Sequence, residues 1–118
     1  MHFQIKDDLF YPRIRAELFS RVPEFTTVFD ESDDIYLVLG EFGRFILHHQ
    51  GNDAVFKKCT DFLSVAILNG GHKTKDAMVS QVLEQVSDQP EAWQKLRKMI
   101  DPNALHFLDE HLPPPEIF

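Results

Sequence analysis

The sequence predicts one all-α domain over residues 1–118, and three observations lead to that class. The chain is close to the commonest domain length, and its hydrophobic fraction of 43% is typical of globular proteins. Apolar residues recur at helical spacing, whereas the alternation of strands is hard to find. Caps, prolines and glycines divide the periodic stretches at short intervals. We therefore expect a compact array of about six to seven short antiparallel helices, bundle-like or HEAT-like, with an ordered core over about 9–112 and a Pro-rich tail over 113–118.

The first third of the chain predicts two helices followed by an acidic loop. A first helix is expected over about 12–21, since proline is tolerated in a first helical turn. Pro23 is expected to open a second, short helix. Its expected buried face consists of Phe25, Val28 and Phe29. Residues 30–34, Asp-Glu-Ser-Asp-Asp, then form a loop that ends in candidate N-caps.

The strongest helical pattern covers residues 35–49. One apolar stripe continues through four turns of it at the spacing of a single helix face. The stripe consists of Ile35, Val38, Leu39, Phe42, Phe45, Ile46 and His49. A strand over 35–39 is the alternative, because β-branched and aromatic residues favour strands. The length of the stripe favours a helix, with Gly51 as its C-terminal stop.

Two further helices are expected in the middle of the chain. The first has Asn52 or Asp53 as its cap and ends at the glycines of 70–71. Thr74 can cap the second. The residues expected to face inward are Val55, Phe56, Cys59, Phe62, Leu63, Ala66 and Ile67 in the first, and Met78, Val79, Val82, Leu83 and Val86 in the second.

The last two helices are predicted from their start signals. Residues 88–90 and 101–102 each place a polar residue before a proline that would occupy the first helical position. The inward-facing residues are Trp93, Leu96 and Ile100 in one helix and Leu105, Leu108 and Leu112 in the other. Three consecutive prolines over 113–115 prevent the last helix from continuing.

Gly40 and Gly43 stand inside the strongest helix, where each glycine costs about 1 kcal/mol relative to alanine. They do not form a phosphate-binding loop, because no strand precedes them and no Lys-Ser or Lys-Thr follows. Their presence predicts either the close approach of a neighbouring helix or a kink.

Charge narrows the expected partners. The formal net charge is −7, which disfavours nucleic acid and anionic membranes, since both attract lysine and arginine. A basic protein partner is favoured instead. The start of the chain lacks the features of a signal peptide, and no apolar run approaches the length of a spanning helix, so we expect a cytoplasmic protein.

No pattern of residues predicts catalysis, a cofactor or a metal site. His48 and His49 are adjacent, so in a helix they point apart. His106 and Glu110 have a spacing that suits two metal ligands, but the sequence offers no third, and an exposed pair is the expected arrangement. Cys59 lies on an apolar face, where a thiol is poorly reactive, and we expect it in the core.

The candidate partner-binding residues are acidic for the most part. They are Asp30, Glu31, Asp33, Asp34, Glu41 and Arg44. The loop over 30–34 is either a solvated turn or a contact patch for a basic site of a partner. Glu41 either pairs with Arg44 on the helix surface or anchors a partner's basic side chain.

Four segments carry a resemblance to a known group of proteins. They are Pro23-Glu24-Phe25, Leu39-Gly40-Glu41-Phe42-Gly43-Arg44-Phe45-Ile46, Asp61-Phe62-Leu63 and Val82-Leu83-Glu84. Over roughly 14–110 the chain resembles small bacterial all-helical domains in which a Pro-Glu-aliphatic turn precedes a Gly-Asp/Glu-Phe-x-Arg-Phe helix, followed by a Phe-Leu-Glu motif. Ser64 departs from that pattern, which has an acidic residue at this place.

Members of this group resemble immunity proteins, which protect bacteria from toxins such as those of contact-dependent growth inhibition. The resemblance implies a non-catalytic protein that neutralises a cognate toxin domain, for example a basic nuclease, through an acidic surface. A monomer in a one-to-one complex is the expected state. Two alternatives stay open: an adaptor or self-associating structural protein with an exposed Phe-rich surface, and a small metal-binding protein or enzyme built on the histidines.

Overall fold

The helices begin and end close to the caps and breakers of the sequence. A computed structural model describes residues 8–112. The helices are α1 (Ile14–Arg21), which follows a 3-10 turn (Tyr11–Arg13), α2 (Ile35–His48), α3 (Asp53–Asn69), α4 (His72–Met78), α5 (Glu84–Ser87), α6 (Pro90–Met99) and α7 (Pro102–His111). A π-helical segment, Val79–Leu83, joins α4 and α5 into one continuous helix over 72–87. The expected all-α fold is confirmed, with no strand in residues 8–112; the expected tail over 113–118 lies outside them.

Helix α2 carries the strongest stripe of the sequence and packs on α1 and on the continuous helix over 72–87. Its N-cap is Asp34, whose carboxylate accepts the backbone N–H of Tyr36 at 2.9 Å. The inner face of the stripe, formed by Val38, Leu39, Phe42 and Ile46, is fully buried. The alternative of a strand over 35–39 is therefore wrong, and the helix ends at His48, shortly before Gly51.

Aromatic rings from three parts of the chain meet on the inner side of α2. The ring of Phe25 meets those of Phe42 and Phe45 edge-on, at centroid distances of 5.4 and 5.3 Å. Phe42 meets Phe62 of α3 in the same way at 5.4 Å. Such pairs contribute about 0.5–1.5 kcal/mol each beyond the burial of their area. The cluster therefore packs both α3 and the segment before α2 against α2.

The prediction of a short helix that begins at Pro23 is wrong, because residues 22–34 are not helical. The face expected to be buried consisted of Phe25, Val28 and Phe29. Val28 is instead 86% exposed. The hydroxyl of Thr27 accepts the backbone N–H two residues later at 3.1 Å and donates to the carboxylate of Glu41. Hydroxyl groups that bond the nearby backbone in this way compete with helical hydrogen bonds.

The N-terminus of α4 is capped from a distant part of the chain, and Thr74 is not the cap that its position predicts. Helix α4 starts at His72, and Thr74 is buried within it. One carboxylate oxygen of Asp8 accepts the backbone N–H of Thr74 at 2.7 Å. The other oxygen accepts the N–H groups of Phe10 and Tyr11 at 3.2 and 3.1 Å. This carboxylate therefore joins the start of the described chain to α4.

Helix α2 touches the helix over 72–87 at Gly43. A Cβ atom on Gly43 would lie 2.4 Å from Nε2 of Gln85 and 3.0 Å from the carbonyl oxygen of Gln81. The amide of Gln85 donates to the carbonyl oxygens of Gly40 at 3.0 Å and Gln81 at 2.6 Å. Of the two predicted alternatives, close approach or a kink, close approach is thus found at Gly43, whereas Gly40 has an ordinary clearance of 3.6 Å; the π-helical segment packs directly on α2.

Alanine at the two glycines should have opposite effects. Gly43→Ala should destabilise the protein by about 1–2 kcal/mol, because the new methyl group displaces the amide of Gln85 and presses on the backbone of Gln81. Gly40→Ala should stabilise by about 0.5–1 kcal/mol, because its methyl group would lie at an ordinary 3.6 Å from the nearest atom of Gln81. Urea denaturation measures both, and equal stabilisation by the two variants would contradict the packing argument.

Asp8 should make stability depend on pH in the acidic range. Burial alone raises the pKa of its carboxyl, but hydrogen bonds from backbone N–H groups outweigh that effect and lower the pKa to about 2. The resulting stability is present above the unfolded-state value, about 4, and is lost as the pH falls towards 2. Because the group is largely solvated, we expect Asp8→Asn to cost only about 1 kcal/mol at neutral pH.

Urea denaturation at neutral pH and near pH 3 tests this expectation. The difference in the free energy of unfolding between Asp8→Asn and the parent protein should be smaller at the lower pH. Asp88→Asn is the matched control, since Asp88 is exposed and its carboxylate accepts no hydrogen bond within residues 8–112. A constant difference at both pH values would contradict the capping role of the Asp8 charge.

Candidate functional site

An open groove of about 590 Å³ lies between α1 and the loop over 30–34. One wall is mainly apolar, and the other carries three carboxylates. We call it the acidic groove; its lining residues are Tyr11, Pro12, Arg15, Ala16, Phe19, Glu31, Asp33, Asp34 and Ile35. Apolar surface with a few placed polar groups is the usual make-up of a binding groove.

The loop beside the groove is held in shape by its own aspartates. One oxygen of Asp30 accepts the N–H and the hydroxyl of Ser32 at 2.8 and 2.5 Å. These hydrogen bonds lower the pKa of Asp30. Asp33 accepts the N–H of Asp30 at 2.9 Å, and Asp34 caps α2. The predicted loop is confirmed, and three of its four acidic residues have a structural role.

Arg15 fastens α1 to the same loop. Its guanidinium donates to the carbonyl oxygens of Phe29 at 2.9 Å and Asp30 at 3.2 Å. The same group lies 5.2 Å from the centre of the Phe19 ring, within the range of a cation–π contact. Arg15 thus bonds the loop backbone and forms no ion pair with a loop carboxylate, although its charge contributes to the lowered pKa of Asp30.

The negative charge of the loop has no direct counter-charge in the described residues. No lysine, arginine or histidine of residues 8–112 forms an ion pair with an acidic residue of 30–34. Elsewhere such pairs are common: Glu17, for example, pairs with both Arg13 and Arg21. Glu31 makes no side-chain hydrogen bond in this part of the chain either, and it is exposed. The groove can therefore offer carboxylates to a cationic ligand.

The structure places Glu41 and Arg44 apart from the groove. Within the described residues the two form no ion pair, so the expected surface pair is absent there. Glu41 is half-buried and accepts the hydroxyl proton of Thr27, which fastens the segment before α2 to the helix. Arg44 is exposed. Of the six predicted partner-binding residues, Glu31, Asp33 and Asp34 come together in the groove, while Asp30 lies in the same loop outside its lining.

The aromatic wall of the groove was not predicted. Tyr11, Arg15 and Phe19 follow one another at helical spacing near the start of the chain. That pattern identifies one helix face, but it cannot show which loop lies against the face. The sequence signal that could have pointed to the groove is that the segments on its two sides are both rich in aromatic and charged residues.

The histidines lie as the sequence suggests. His48 is exposed, whereas His49 packs on Phe45 with ring centres 4.0 Å apart, so the neighbours diverge. His106 and Glu110 do meet, at 3.1 Å, and both side chains are exposed. In the described part of the chain no group of three histidine, cysteine, aspartate or glutamate residues is placed to hold a metal ion.

The described surface carries scattered apolar side chains. The large exposed ones are Leu9, Val28, Leu37 and Leu68. Every phenylalanine in residues 8–112 is at least partly buried, which leaves no Phe-rich exposed surface in that range. No helix there combines the length and the apolar content needed to cross a bilayer.

A comparison with protein families finds one match. Residues 15–112 match the family described as a domain of unknown function (DUF7674). The match covers most of the chain, which therefore belongs to this family, and it includes the acidic loop but not Asp8 or Tyr11. Neither the curated proteins nor the solved structures contain a match.

Cys59 should be unreactive in the folded protein. Its side chain is fully buried among the apolar residues of α3, and this burial raises the pKa of its thiol to about 12. We expect a chromogenic thiol reagent near pH 8 to modify it more than about 100-fold faster in denaturant than in the native state. Native reaction at the denatured rate would contradict the buried position.

Proposed function

We propose that this member of the DUF7674 family is a non-catalytic binding protein that takes a basic surface of a protein partner into the acidic groove. One observation carries the proposal: Glu31, Asp33 and Asp34 line a groove and have no ion-pair partner in residues 8–112. Carboxylates without an ion-pair partner favour binding of a lysine or arginine side chain of another protein. Attraction between opposite charges also speeds the encounter of the two proteins, and repulsion disfavours acidic partners.

The groove is suited to binding because its parts are held before a partner arrives. Asp34 belongs to the cap of α2, and Asp33 is hydrogen-bonded within the loop. Arg15 holds the opposite wall against the same loop through its hydrogen bonds to the carbonyl oxygens of Phe29 and Asp30. Ordering a loop on binding costs free energy, and a loop that is already held avoids that cost.

The partner we propose is a basic toxin domain, with this chain as its cytoplasmic immunity protein. The support is the resemblance in the helix over 39–46 together with an acidic groove that could cover a phosphate-binding surface of a nuclease. An inhibitor of this type acts by occupying the partner's site. We propose a monomer bound one-to-one as the inhibitory state.

Co-expression tests the proposal. If the gene immediately upstream encodes a large secreted protein with a variable C-terminal domain, that domain should arrest growth when expressed alone. Co-expression of this chain should restore growth, and the purified pair should form a one-to-one complex by calorimetry. Growth arrest that this chain fails to relieve, or an upstream gene of another kind, would overturn the immunity proposal.

Glu31→Lys should weaken that complex by about tenfold without changing stability, because Glu31 is exposed in the groove and bonds nothing in residues 8–112. Asp30→Lys and Asp34→Lys are poorer tests, since both residues hold the loop. Glu91→Lys on α6 makes the same charge change outside the groove and should change affinity less than about twofold. Equal affinity losses in the two variants would contradict the groove as the binding site.

A further inference from the structure

A second open groove, of about 360 Å³, lies between α4 and α7. We call it the α4–α7 groove; its lining residues are His72, Lys75, Asp76, Val79, Phe107, Glu110 and His111. Its aromatic surface is the ring of Phe107. The ring of His111 stacks on it with centres 4.1 Å apart, and the ammonium of Lys75 lies 5.6 Å from its centre. The carboxylates of Asp76 and Glu110 belong to exposed residues.

The two grooves adjoin through a tyrosine. Tyr36 follows Asp34 and Ile35, which line the acidic groove, and its hydroxyl donates to the carboxylate of Asp76 at 3.3 Å. Asp76 in turn lines the α4–α7 groove. Nearby in sequence, the ammonium of Lys73, the residue after His72, is 5.8 Å from the centre of the Tyr11 ring, which lines the acidic groove.

The junction offers one further carboxylate to a cationic ligand, that of Asp76, although Lys75, His72 and His111 also line the α4–α7 groove. Asp76 forms no ion pair with any residue between 8 and 112, although two lysines stand one and three positions before it in sequence. Both of those lysines lie over aromatic rings, Lys73 at Tyr11 and Lys75 at Phe107. Asp76 therefore continues the set of unpaired carboxylates that begins with Glu31 and Asp33.

We propose that one extended basic segment of the partner occupies both grooves, passing over the Tyr36–Asp76 contact with a cationic side chain on each side of it. This inference rests on the proposed function, since the acidic groove supplies the first contact. An extended segment reaches about 3.3 Å per residue, so nine residues reach about 30 Å, a length comparable with the 34 Å middle extent of the molecule, whereas three reach only about 10 Å.

Two fluorescent peptides, nona-arginine and tri-arginine, test the proposal by titration at low salt. Glu31→Gln should weaken both peptides by about threefold, because each uses the acidic groove. Asp76→Asn should weaken only nona-arginine, also by about threefold, and the asparagine oxygen can still accept the Tyr36 hydroxyl. Glu91→Gln is the matched control, with the same charge change outside both grooves.

Each outcome decides something. If Asp76→Asn behaves as Glu91→Gln while Glu31→Gln weakens both peptides, the extended segment is wrong and the acidic groove stands. If all three variants lose the same affinity, the attraction is diffuse and both proposals fall. If neither peptide binds, both proposals fall as well. If Asp76→Asn leaves peptide binding unchanged but abolishes self-association in sedimentation, a second copy of this chain covers the α4–α7 groove and the inference is overturned.

Discussion

The close contact between α2 and the helix over 72–87 is the constraint on which the rest of the structure depends. Gly43 leaves no room for a side chain there, and Gln85 uses the space to bond the backbone of both helices. One side of α2 therefore packs on the π-helical segment, and another side contacts the aromatic ring of Phe62 on α3. A glycine that weakens an isolated helix therefore stabilises the packed one.

The position of α2 also decides where the acidic groove lies. The cap at Asp34 is the last residue of the loop, so the loop leaves the helix in a set direction. Arg15 then draws the loop backbone onto α1 through two carbonyl oxygens. These hydrogen bonds engage the guanidinium of Arg15 without pairing it to a carboxylate. An unpaired acidic surface is the result, and it is a consequence of how the loop is held.

The candidate site combines charge with a loop that its own hydrogen bonds hold in shape, and the proposed binding function rests on both. Its carboxylates lie in an open groove with solvent access, and the one thiol of the chain is buried elsewhere. Asp33 and Asp34 serve the fold as well as the groove, whereas Glu31 serves only the groove. Glu31, which forms no hydrogen bond within the loop, is therefore the residue that the proposed partner would contact with the least effect on the fold.

The helices and their inward faces were predictable because both follow from local spacing. The stripe on α2, the caps Asn52 and Asp101, and the prolines at the starts of α6 and α7 act within one or two turns. The failures at Pro23 and Thr74 have a different origin. A hydroxyl bond to Glu41 replaced a helix in the first case, and a carboxylate 66 positions away replaced a cap in the second. The groove depends on contacts of the same long range, which only tertiary packing creates, because spacing along the chain does not specify which surfaces will meet.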